Sequence, residues 1–350
     1  MKTMTPRERW LAVLNRETPD RTPMDYWGTP EATANVIAYL GVSDVEAMDA
    51  ALHIDRPVDV APAYVGPPVA ADADMYGCRF KMVDYGTGAY RECVFHPLAR
   101  YDSVAEIEAD YCWPEPDWFD PATLPEQIAA HPDRPIQLDM AGVYTQYTWL
   151  RGMEQAFIDF ALNHDLVLHC MEKMYDLHYH IAHRAFEVAN GAIHLGKIAN
   201  DLGSQRDLLC PPETVRKLFV PGIRRLARLA HKHGAFVFLH SDGAIRKAIP
   251  DLIDAGIDVL NPIQWRSAGM DREGLKRDFG EDLIFHGAMD NQHTLVYGSV
   301  DDVRAEVREN IEILGADGGY ILAPCHRVQA VSPPENVVAM YEAGYALGRG

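Results

Sequence analysis

The sequence predicts a single α/β domain of the (β/α)8 TIM barrel class, in which parallel strands form a ring and each strand is followed by a helix. Three observations lead to this fold class. From about residue 135 onward, apolar segments alternate with segments of helical periodicity. The apolar segments are nearly continuous, as expected for strands covered on both faces of the sheet. No G-x-G-x-x-G motif follows the first strand, which disfavours the alternative of an open dinucleotide-binding sheet.

The first third of the chain adds elements to this ring. A helix is predicted over about 5–16, a short strand over "MDYW" (24–27) and a second helix over about 30–40. Alternating residues on both sides of a Gly-rich turn predict a β-hairpin insertion over about 64–98. The Pro- and Trp-rich residues 101–132 indicate an ordered loop and a short helix.

The regular alternation follows in the remaining residues. The predicted strands are 135–140, 192–199, 235–240, 258–263, 283–288 and 319–324. The predicted helices are 151–162, 165–190, 211–233, 244–255, 271–278 and 301–314. With "MDYW" this gives seven strands, so one strand of an eight-stranded ring is hidden or irregular. Residues 1–350 are interpreted as one domain.

The composition disfavours several classes of function. The chain has 51 acidic and 32 basic residues and a net charge of −19, which disfavours binding to nucleic acid or to anionic membranes. The N-terminal residues lack a long apolar stretch, so the expected location is cytoplasmic. The six cysteines are scattered without a C-x-x-C motif, so a disulfide scaffold is not expected.

Polar side chains stand near the ends of the predicted strands, which is where barrel enzymes carry their chemistry. Such groups are unfavourable in an apolar mouth unless they are paired, solvated or ligated, so they predict one polar cavity. Asp201 is a candidate catalytic residue after the strand 192–199. The candidates for substrate binding are Tyr26, Trp27, Asp139, Gln205, Asn261, Gln264 and His286.

His240 and Asp242 are candidate catalytic residues and candidate metal ligands. Side chains two positions apart in an extended strand point to the same side, so both can reach one ion or one substrate atom. Imidazole nitrogen and carboxylate oxygen are ordinary zinc donors, and Cys325 or His326 offers a third ligand. The alternative is that His240 forms a hydrogen bond with Asp242 or with neighbouring backbone, and that no metal binds.

Four segments, in order along nearly the whole chain, resemble the uroporphyrinogen decarboxylase superfamily. They are "PRERWLAVLNRETPDRTPM", "NDLGSQRDLLCPPETVRKLFVPGIRRL", "HSDGAIRKAIPDLIDAGIDVLNPIQ" and "GGYILAPCHRVQAVSPPENVVAMYEAG". The resemblance implies a distorted (β/α)8 barrel. It also implies one of two chemistries: cofactor-free decarboxylation of uroporphyrinogen, or zinc-dependent methyl transfer between a corrinoid protein and a small acceptor.

Two features favour the methyltransferase branch. The decarboxylases carry an Arg-rich segment after the first strand, whose arginines hold the substrate carboxylates, but this chain has no arginine between Arg21 and Arg56. The methyltransferases carry H-x-C after the strand that ends here at His240, and a later cysteine near Cys325-His326. Asp242 replaces the first cysteine, which makes the metal site harder and disfavours a thiol acceptor.

The resemblance therefore implies a zinc-dependent methyltransferase that acts between a small O-, N- or S-methyl compound or acceptor and a corrinoid. No D-x-H-x-x-G motif is present, so the corrinoid is expected on a separate protein. A homodimer is an expectation from the family alone. The alternative is a cofactor-free decarboxylase of uroporphyrinogen or of a smaller acid, with Asp201 or His240 as proton donor. A non-catalytic binding protein is disfavoured because of the polar strand ends.

Overall fold

A curled sheet of parallel strands forms the centre of the computed structural model, which describes residues 3–348. Along the described chain the strands are β1 (Val58–Val60), β2 (Ala63–Tyr64), β3 (Arg79–Asp84), β4 (Ala89–Phe95), β5 (Phe119–Asp120), β6 (Ile136–Ala141), β7 (Leu195–Ala199), β8 (Phe236–His240), β9 (Val259–Asn261), β10 (Ile284–Met289) and β11 (Tyr320–Pro324). The sheet has seven strands in the order β1-β6-β7-β8-β9-β10-β11. Every pair in it is parallel, so the fold is α/β and TIM-barrel-like.

Helices follow most of these strands. They are α1 (Pro6–Leu14), α2 (Pro30–Leu40), α3 (Val45–Ala51), α4 (Val104–Asp110), α5 (Leu124–Ala129), α6 (Val143–Arg151), α7 (Met153–Leu162), α8 (His164–Ala189), α9 (Pro212–Leu218), α10 (Val220–Lys232), α11 (Ile249–Ala255), α12 (Arg272–Phe279), α13 (Thr294–Tyr297), α14 (Val300–Leu314) and α15 (Pro334–Leu347). The predicted helix 211–233 is two helices, because Pro221 follows an interruption at Phe219. No helix within residues 3–348 combines the length and the apolar character that crossing a membrane requires.

The predicted strand "MDYW" is not a regular strand. Met24 forms an isolated parallel bridge with Leu322 of β11, and Gly28 forms a second one with Val328. On its other side, the Met24 carbonyl accepts a hydrogen bond of 2.6 Å from the Asp55 amide, just before β1. The segment thus lies between the two outer strands of the sheet. β1 itself, with only three residues, is the strand that the sequence pattern did not reveal.

The curled sheet and segment 24–28 together are named the ring, and helix α1 fills one of its ends. A capping box starts this helix: Thr5 and Glu8 each accept a hydrogen bond from the other's backbone amide. Trp10, Val13 and Leu14 of α1 are buried in one cluster with side chains of five strands: Leu195, Phe238, Val259, Ile284 and Ile321. The other core cluster packs the helices against the outside of the sheet. Because α1 fills the amino-terminal end, the polar strand ends lie at the other end.

Two antiparallel strands occur within the predicted insertion. β3 and β4 pair from Arg79 to Phe95, and the Tyr85 amide donates a 3.0 Å hydrogen bond to the Gly88 carbonyl in the connecting turn. The tip of this hairpin lies near the loop after β11, since Tyr85 and Tyr90 line one cavity of about 530 Å³ together with His326. The hairpin therefore borders the end of the ring that carries the polar residues.

Candidate metal and substrate site

Three side chains of the types that ligate metals converge where β8 and β11 end, and they are named the metal-binding side chains for these donor atoms alone. His240 is the last residue of β8, Asp242 lies two positions later, and His326 follows β11. One carboxylate oxygen of Asp242 lies 4.0 Å from His240 Nε2 and 3.7 Å from His326 Nε2. The three donor atoms all lie within 4.8 Å of one another. Two imidazole nitrogens and one carboxylate are a donor set that suits zinc and leaves a fourth position open.

The surroundings of Asp242 and His326 favour a cation. Burial raises the pKa of Asp242 to about 6; a protonated His240 would oppose this shift, and the carboxylate of Asp201 adds to it. Asp242 Oδ1 is buried and has no hydrogen-bond partner among the described residues. Burial also lowers the pKa of His326, which favours the neutral, ligating imidazole. A cation held between Asp242 Oδ2 and the two histidine Nε2 atoms would compensate the carboxylate charge that burial disfavours, so the residues present fit a zinc ion.

Asp201 completes the polar group on the solvent side. It follows β7, and its Oδ1 lies 3.6 Å from His240 Nε2. The same oxygen accepts a long hydrogen bond of 3.4 Å from the Asp242 amide. Because 39 % of its side chain is exposed, Asp201 can also reach a molecule that enters from solvent.

Two glycines bring the loops after β7 and β8 into direct contact. Gly243 has a φ of +86°, and a Cβ there would lie 2.5 Å from the Ser204 carbonyl oxygen. A Cβ on Gly203 would lie 2.7 Å from the Asp242 carbonyl oxygen. Gly203 thus lets its loop approach the neighbouring loop, which places Asp201 beside Asp242.

A chain of buried hydrogen bonds lies behind His240. Its Nδ1 is 2.6 Å from Asn261 Oδ1, and Asn261 Nδ2 is 2.7 Å from His286 Nδ1. His286 Nε2 is in turn 3.0 Å from Asp25 Oδ2. Asn261 and His286 are fully buried, and Asp25 is 2 % exposed. The structure thus places these two predicted substrate-binding residues behind His240 and away from the open cavity.

Cys325 and His326 point to different places. The Cys325 thiol is buried and donates to the Ile263 carbonyl at 3.2 Å. Burial raises the pKa of this thiol well above its usual range, and nearby carboxylates add to the shift. Of the two predicted third ligands, only His326 comes within reach of both His240 and Asp242.

Tyr26 and Trp27 also diverge. The Tyr26 hydroxyl is 2.9 Å from Thr33 Oγ1, and Arg56 lies over its ring, so Tyr26 packs outside the ring of strands. Trp27 turns inward, with its ring centroid 5.5 Å from that of His240. Of the two aromatic residues predicted to bind substrate, the structure places Trp27 beside His240.

The interior below His240 is polar and includes a residue that the sequence interpretation missed. Asp139 on β6 is exposed although its strand neighbours are buried, so it faces an open space inside the ring. Desolvation by the protein that surrounds this interior space raises the pKa of Asp139, with Lys197 acting in the opposite direction. Lys197 on β7 is its register partner, and Nζ lies 5.0 Å from the centroid of the Trp27 ring. The one lysine within the apolar segment "AIHLGKIA" was the available signal.

Two predicted glutamines line a cavity next to the metal-binding side chains. The cavity holds about 470 Å³ and also contacts Asp242 and His326. Gln264 Oε1 accepts a 2.7 Å hydrogen bond from the Gly243 amide, and Gln205 Oε1 accepts one of 3.2 Å from a serine hydroxyl. A larger cavity, of about 990 Å³, lies at the opposite end of the ring. Three of its arginines are paired with aspartates, and among residues 3–348 the one group of metal-ligating side chains lies elsewhere, at His240, Asp242 and His326.

Comparison with known protein families shows which family the chain belongs to. The profile described as uroporphyrinogen decarboxylase (URO-D) matches residues 141–347, more than half of the sequence. The chain belongs to the uroporphyrinogen decarboxylase family. The matched region contains all three metal-binding side chains and Asp201, whereas Asp25 and Trp27 precede it. No curated protein sequence matches the chain.

Solved structures resemble this member of the uroporphyrinogen decarboxylase family over its full length. A methyltransferase from Methanosarcina mazei has a TM-score of 0.70 and 21% identity, with 98% of this chain and 99% of that chain covered. The YdhT protein from Bacillus subtilis has a TM-score of 0.45 and 9% identity, with 100% and 94% covered. At these identities the first comparison establishes the fold alone, and the second adds nothing to it.

Proposed function

We propose that the protein is a zinc-dependent methyltransferase that moves a methyl group between a small O-, N- or S-methyl compound or acceptor and a corrinoid carried by a separate protein. The observation that carries the proposal is the convergence of His240, Asp242 and His326 at the carboxyl end of the strands. A two-histidine, one-carboxylate set with an open position is typical of catalytic zinc. The fold shared with a methyltransferase is compatible with this function.

The chain's own residues would divide the work around the ion. His240 and His326 would donate their Nε2 lone pairs and Asp242 a carboxylate oxygen. When bound, zinc would supply Lewis-acid chemistry at the heteroatom that gains or loses the methyl group, which passes to or from the separate corrinoid. Asp201 Oδ1, 3.6 Å from His240 Nε2, would accept a hydrogen bond or a proton from the substrate. Trp27 would form an apolar wall of the cavity.

The access that a corrinoid partner needs is available. The His326 side chain is 44% exposed and that of Asp201 39%, so the site opens to solvent at the end of the ring opposite α1. We further infer that segment 24–28 closes a distorted eight-stranded barrel, and that the hairpin is an insertion beside its mouth. A cytoplasmic location and a homodimer stay predictions.

Decarboxylation of uroporphyrinogen is the weaker candidate. Arg21 and Arg56, which flank the arginine-free segment of the sequence, both line the cavity at the opposite end of the ring. Arg21 pairs with Asp55, and Arg56 pairs with Asp49. Because their guanidinium groups are already paired with aspartates, they do not offer free partners for the carboxylates of such a substrate.

Metal analysis of purified variants tests the proposal. We expect about one zinc ion per wild-type chain, and loss of that zinc in His240→Ala, Asp242→Ala and His326→Ala, because each removes one of three ligands. Cys325→Ala is the matched control, since its thiol contacts a backbone carbonyl and lies outside the cluster. Retention of zinc by all three alanine variants, or its loss only in Cys325→Ala, would contradict the site.

Methyl transfer is tested separately by the cobalt absorption spectrum. The zinc-loaded protein is mixed with methylcobalamin and candidate acceptors, or with reduced cobalamin and candidate methyl donors. We expect a spectral change with at least one compound, and none with His240→Ala. Absence of any change, together with carbon dioxide release by metal-free protein from a carboxylic acid, would favour the decarboxylase alternative instead.

A further inference from the structure

The hydrogen bonds behind His240 begin at Asp25, whose carboxylate acts as an acceptor. Asp25 accepts hydrogen bonds of 2.8 Å from the Tyr26 amide and from Trp27 Nε1. Burial opposes ionisation of this group, but its hydrogen bonds, with that from His286 the largest, lower the pKa of Asp25 below its usual range. An ionised carboxylate only accepts hydrogen bonds, so His286 Nε2, 3.0 Å away, must carry a proton.

Asn261 transmits this direction to His240. An amide nitrogen only donates and an amide oxygen only accepts. Asn261 Nδ2 faces His286 Nδ1 at 2.7 Å, so that ring nitrogen is the unprotonated one. Asn261 Oδ1 faces His240 Nδ1 at 2.6 Å, so the proton of His240 lies on Nδ1. In the neutral ring the lone pair of His240 is therefore on Nε2, which lies 3.6 Å from Asp201 Oδ1 and 4.0 Å from Asp242 Oδ2.

We propose that Asp25, His286 and Asn261 form a histidine relay that holds His240 in the tautomer with an unprotonated Nε2 before any metal arrives. The three are positioning residues: they touch neither the ion nor the substrate and act through His240. The ring nitrogen that binds metal is set by the hydrogen bond of the other nitrogen. The tautomer itself does not depend on the proposed function, whereas its effect on zinc affinity rests on that function.

Aromatic rings isolate the histidine relay from water. The His286 ring centroid lies 5.0 Å from that of Phe238 and 5.9 Å from those of Trp10 and Trp27. Both Asn261 and His286 are fully buried, so bulk solvent does not reach their donors and acceptors. In such low-dielectric surroundings each hydrogen bond is stronger, and an unpaired group is more costly, than at the surface. These surroundings therefore favour one assignment of donor and acceptor at every hydrogen bond from Asp25 to His240.

Nitrogen-15 NMR of histidine-labelled, metal-free protein tests the relay at about pH 9, well above the ordinary imidazole pKa of about 6.5, so that the neutral ring is observed. Long-range proton–nitrogen correlations distinguish protonated from unprotonated ring nitrogens, and the His240→Gln spectrum identifies the His240 signals. We expect His240 to show a protonated Nδ1 and an unprotonated Nε2. The opposite tautomer in the wild-type protein would overturn the proposal without any reference to activity.

Variants of Asn261 test whether the relay causes that tautomer. Asn261→Leu should give a mixture of tautomers and weaken zinc binding about 10- to 100-fold, because the acceptor for Nδ1–H is lost. Asn261→Asp keeps an acceptor and should retain the unprotonated Nε2. Asn336→Leu is the matched control, since Asn336 is equally buried but bonds only to backbone carbonyls elsewhere. It should change neither the tautomer nor the affinity.

The outcomes separate this inference from the proposed function. Wild-type protein that shows the expected tautomer but binds no zinc supports the relay and overturns the metal-dependent function. Zinc binding in which Asn261→Leu leaves both the tautomer and the affinity unchanged overturns the relay and leaves the metal site intact. If Asn261→Leu does not fold, loss of the unprotonated Nε2 in Asn261→Asp overturns the proposal, and its retention supports it.

Discussion

At the scale of single residues, Asp159 shows how this chain stabilises a buried charge away from the site. Its carboxylate is fully buried and accepts hydrogen bonds from the side chains of Tyr147, Arg151, Gln155 and Asn163. Burial alone would raise the pKa of Asp159, but these bonds, with that from Arg151 first, lower it below the usual range. The carboxylate therefore stabilises the folded state in its ionised form.

Replacing Asp159 by Asn should lower the free energy of unfolding by about 3–5 kcal/mol at pH 7, because Arg151 is left without its buried counter-charge. The folded pKa lies below the unfolded value of about 3.9, so this stabilisation is present above that pH and is lost as the pH falls through the folded pKa. Urea unfolding of both proteins at several pH values measures the difference.

The matched control for Asp159 is Asp254→Asn. Asp254 is 73% exposed and pairs with Arg224 at the surface. We expect Asp254→Asn to change the free energy of unfolding by no more than about 1 kcal/mol. Its difference from the wild-type protein should not become smaller below pH 4. A difference between wild-type protein and Asp159→Asn that stays constant from pH 7 to pH 3 would show that the buried carboxylate is not the source.

The spacing of His240 and Asp242 predicts that their side chains lie together, and the structure brings them to 4.0 Å from each other although β8 ends at His240. Their roles as metal ligands stay a prediction. The choice between Cys325 and His326 stayed open, because these residues follow the last strand and their directions depend on a loop. Tyr26 shows the same limit: it lies in an irregular segment, and its hydroxyl binds Thr33 outside the ring.

At the scale of elements, the contact between the loops after β7 and β8 organises the site. Gly203 and Gly243 allow the two backbones to touch, as the contacts of a Cβ at either position show. The Ala244 amide also donates a 2.7 Å hydrogen bond to the Ser204 carbonyl across this contact. The geometry of Asp242 therefore depends on a backbone contact as well as on its own strand.

Gly243→Ala should separate these loops, because its Cβ would lie 2.5 Å from a backbone oxygen and its φ is +86°. We expect a loss of stability of about 2 kcal/mol and weaker zinc binding. Gly41→Ala is the control: Gly41 has a φ of +67° with open space around it, so the change should cost about 1–2 kcal/mol and leave zinc binding unchanged. Isothermal titration measures the zinc affinity of both variants, and urea unfolding measures their stability. Equal zinc affinities of Gly243→Ala and Gly41→Ala would contradict the role given to the loop contact.

Elements with strong periodicity were predictable, and short ones were not. The six later strands match the apolar segments to within about three residues at each end. The sequence does not predict β1, because "VDV" is too short to show a period. The segment that contains "MDYW" forms only two isolated bridges, Met24 with Leu322 and Gly28 with Val328. The mixed polar and aromatic sequence of α6 likewise hid a helix of nine residues.

At the scale of the whole molecule, the ring has two different ends. Helix α1 closes the amino-terminal end with an apolar cluster, whereas the other end collects the metal-binding side chains. The net charge of −19 adds a negative field in which a cation is favoured and a polyanion is not. Binding of an ion at the open end links two distant strands, β8 and β11, so it should stabilise the fold as a whole.

Zinc should therefore raise the global stability of the protein. At a free zinc concentration about 100 times the dissociation constant, the expected gain is about 2.7 kcal/mol, provided the unfolded chain binds zinc weakly. His240→Ala should show no gain, and Cys325→Ala should show the gain of the wild-type protein. Urea unfolding with and without zinc checks this, and an equal gain in His240→Ala would place the stabilising ion elsewhere.

The most direct test of the central claim is the anomalous scattering of a crystal soaked with zinc. We expect one peak at about 2.0–2.2 Å from His240 Nε2, from an oxygen of Asp242 and from His326 Nε2. No peak there at saturating zinc, or a peak bonded to the Cys325 sulfur instead, would contradict the site and the function built on it.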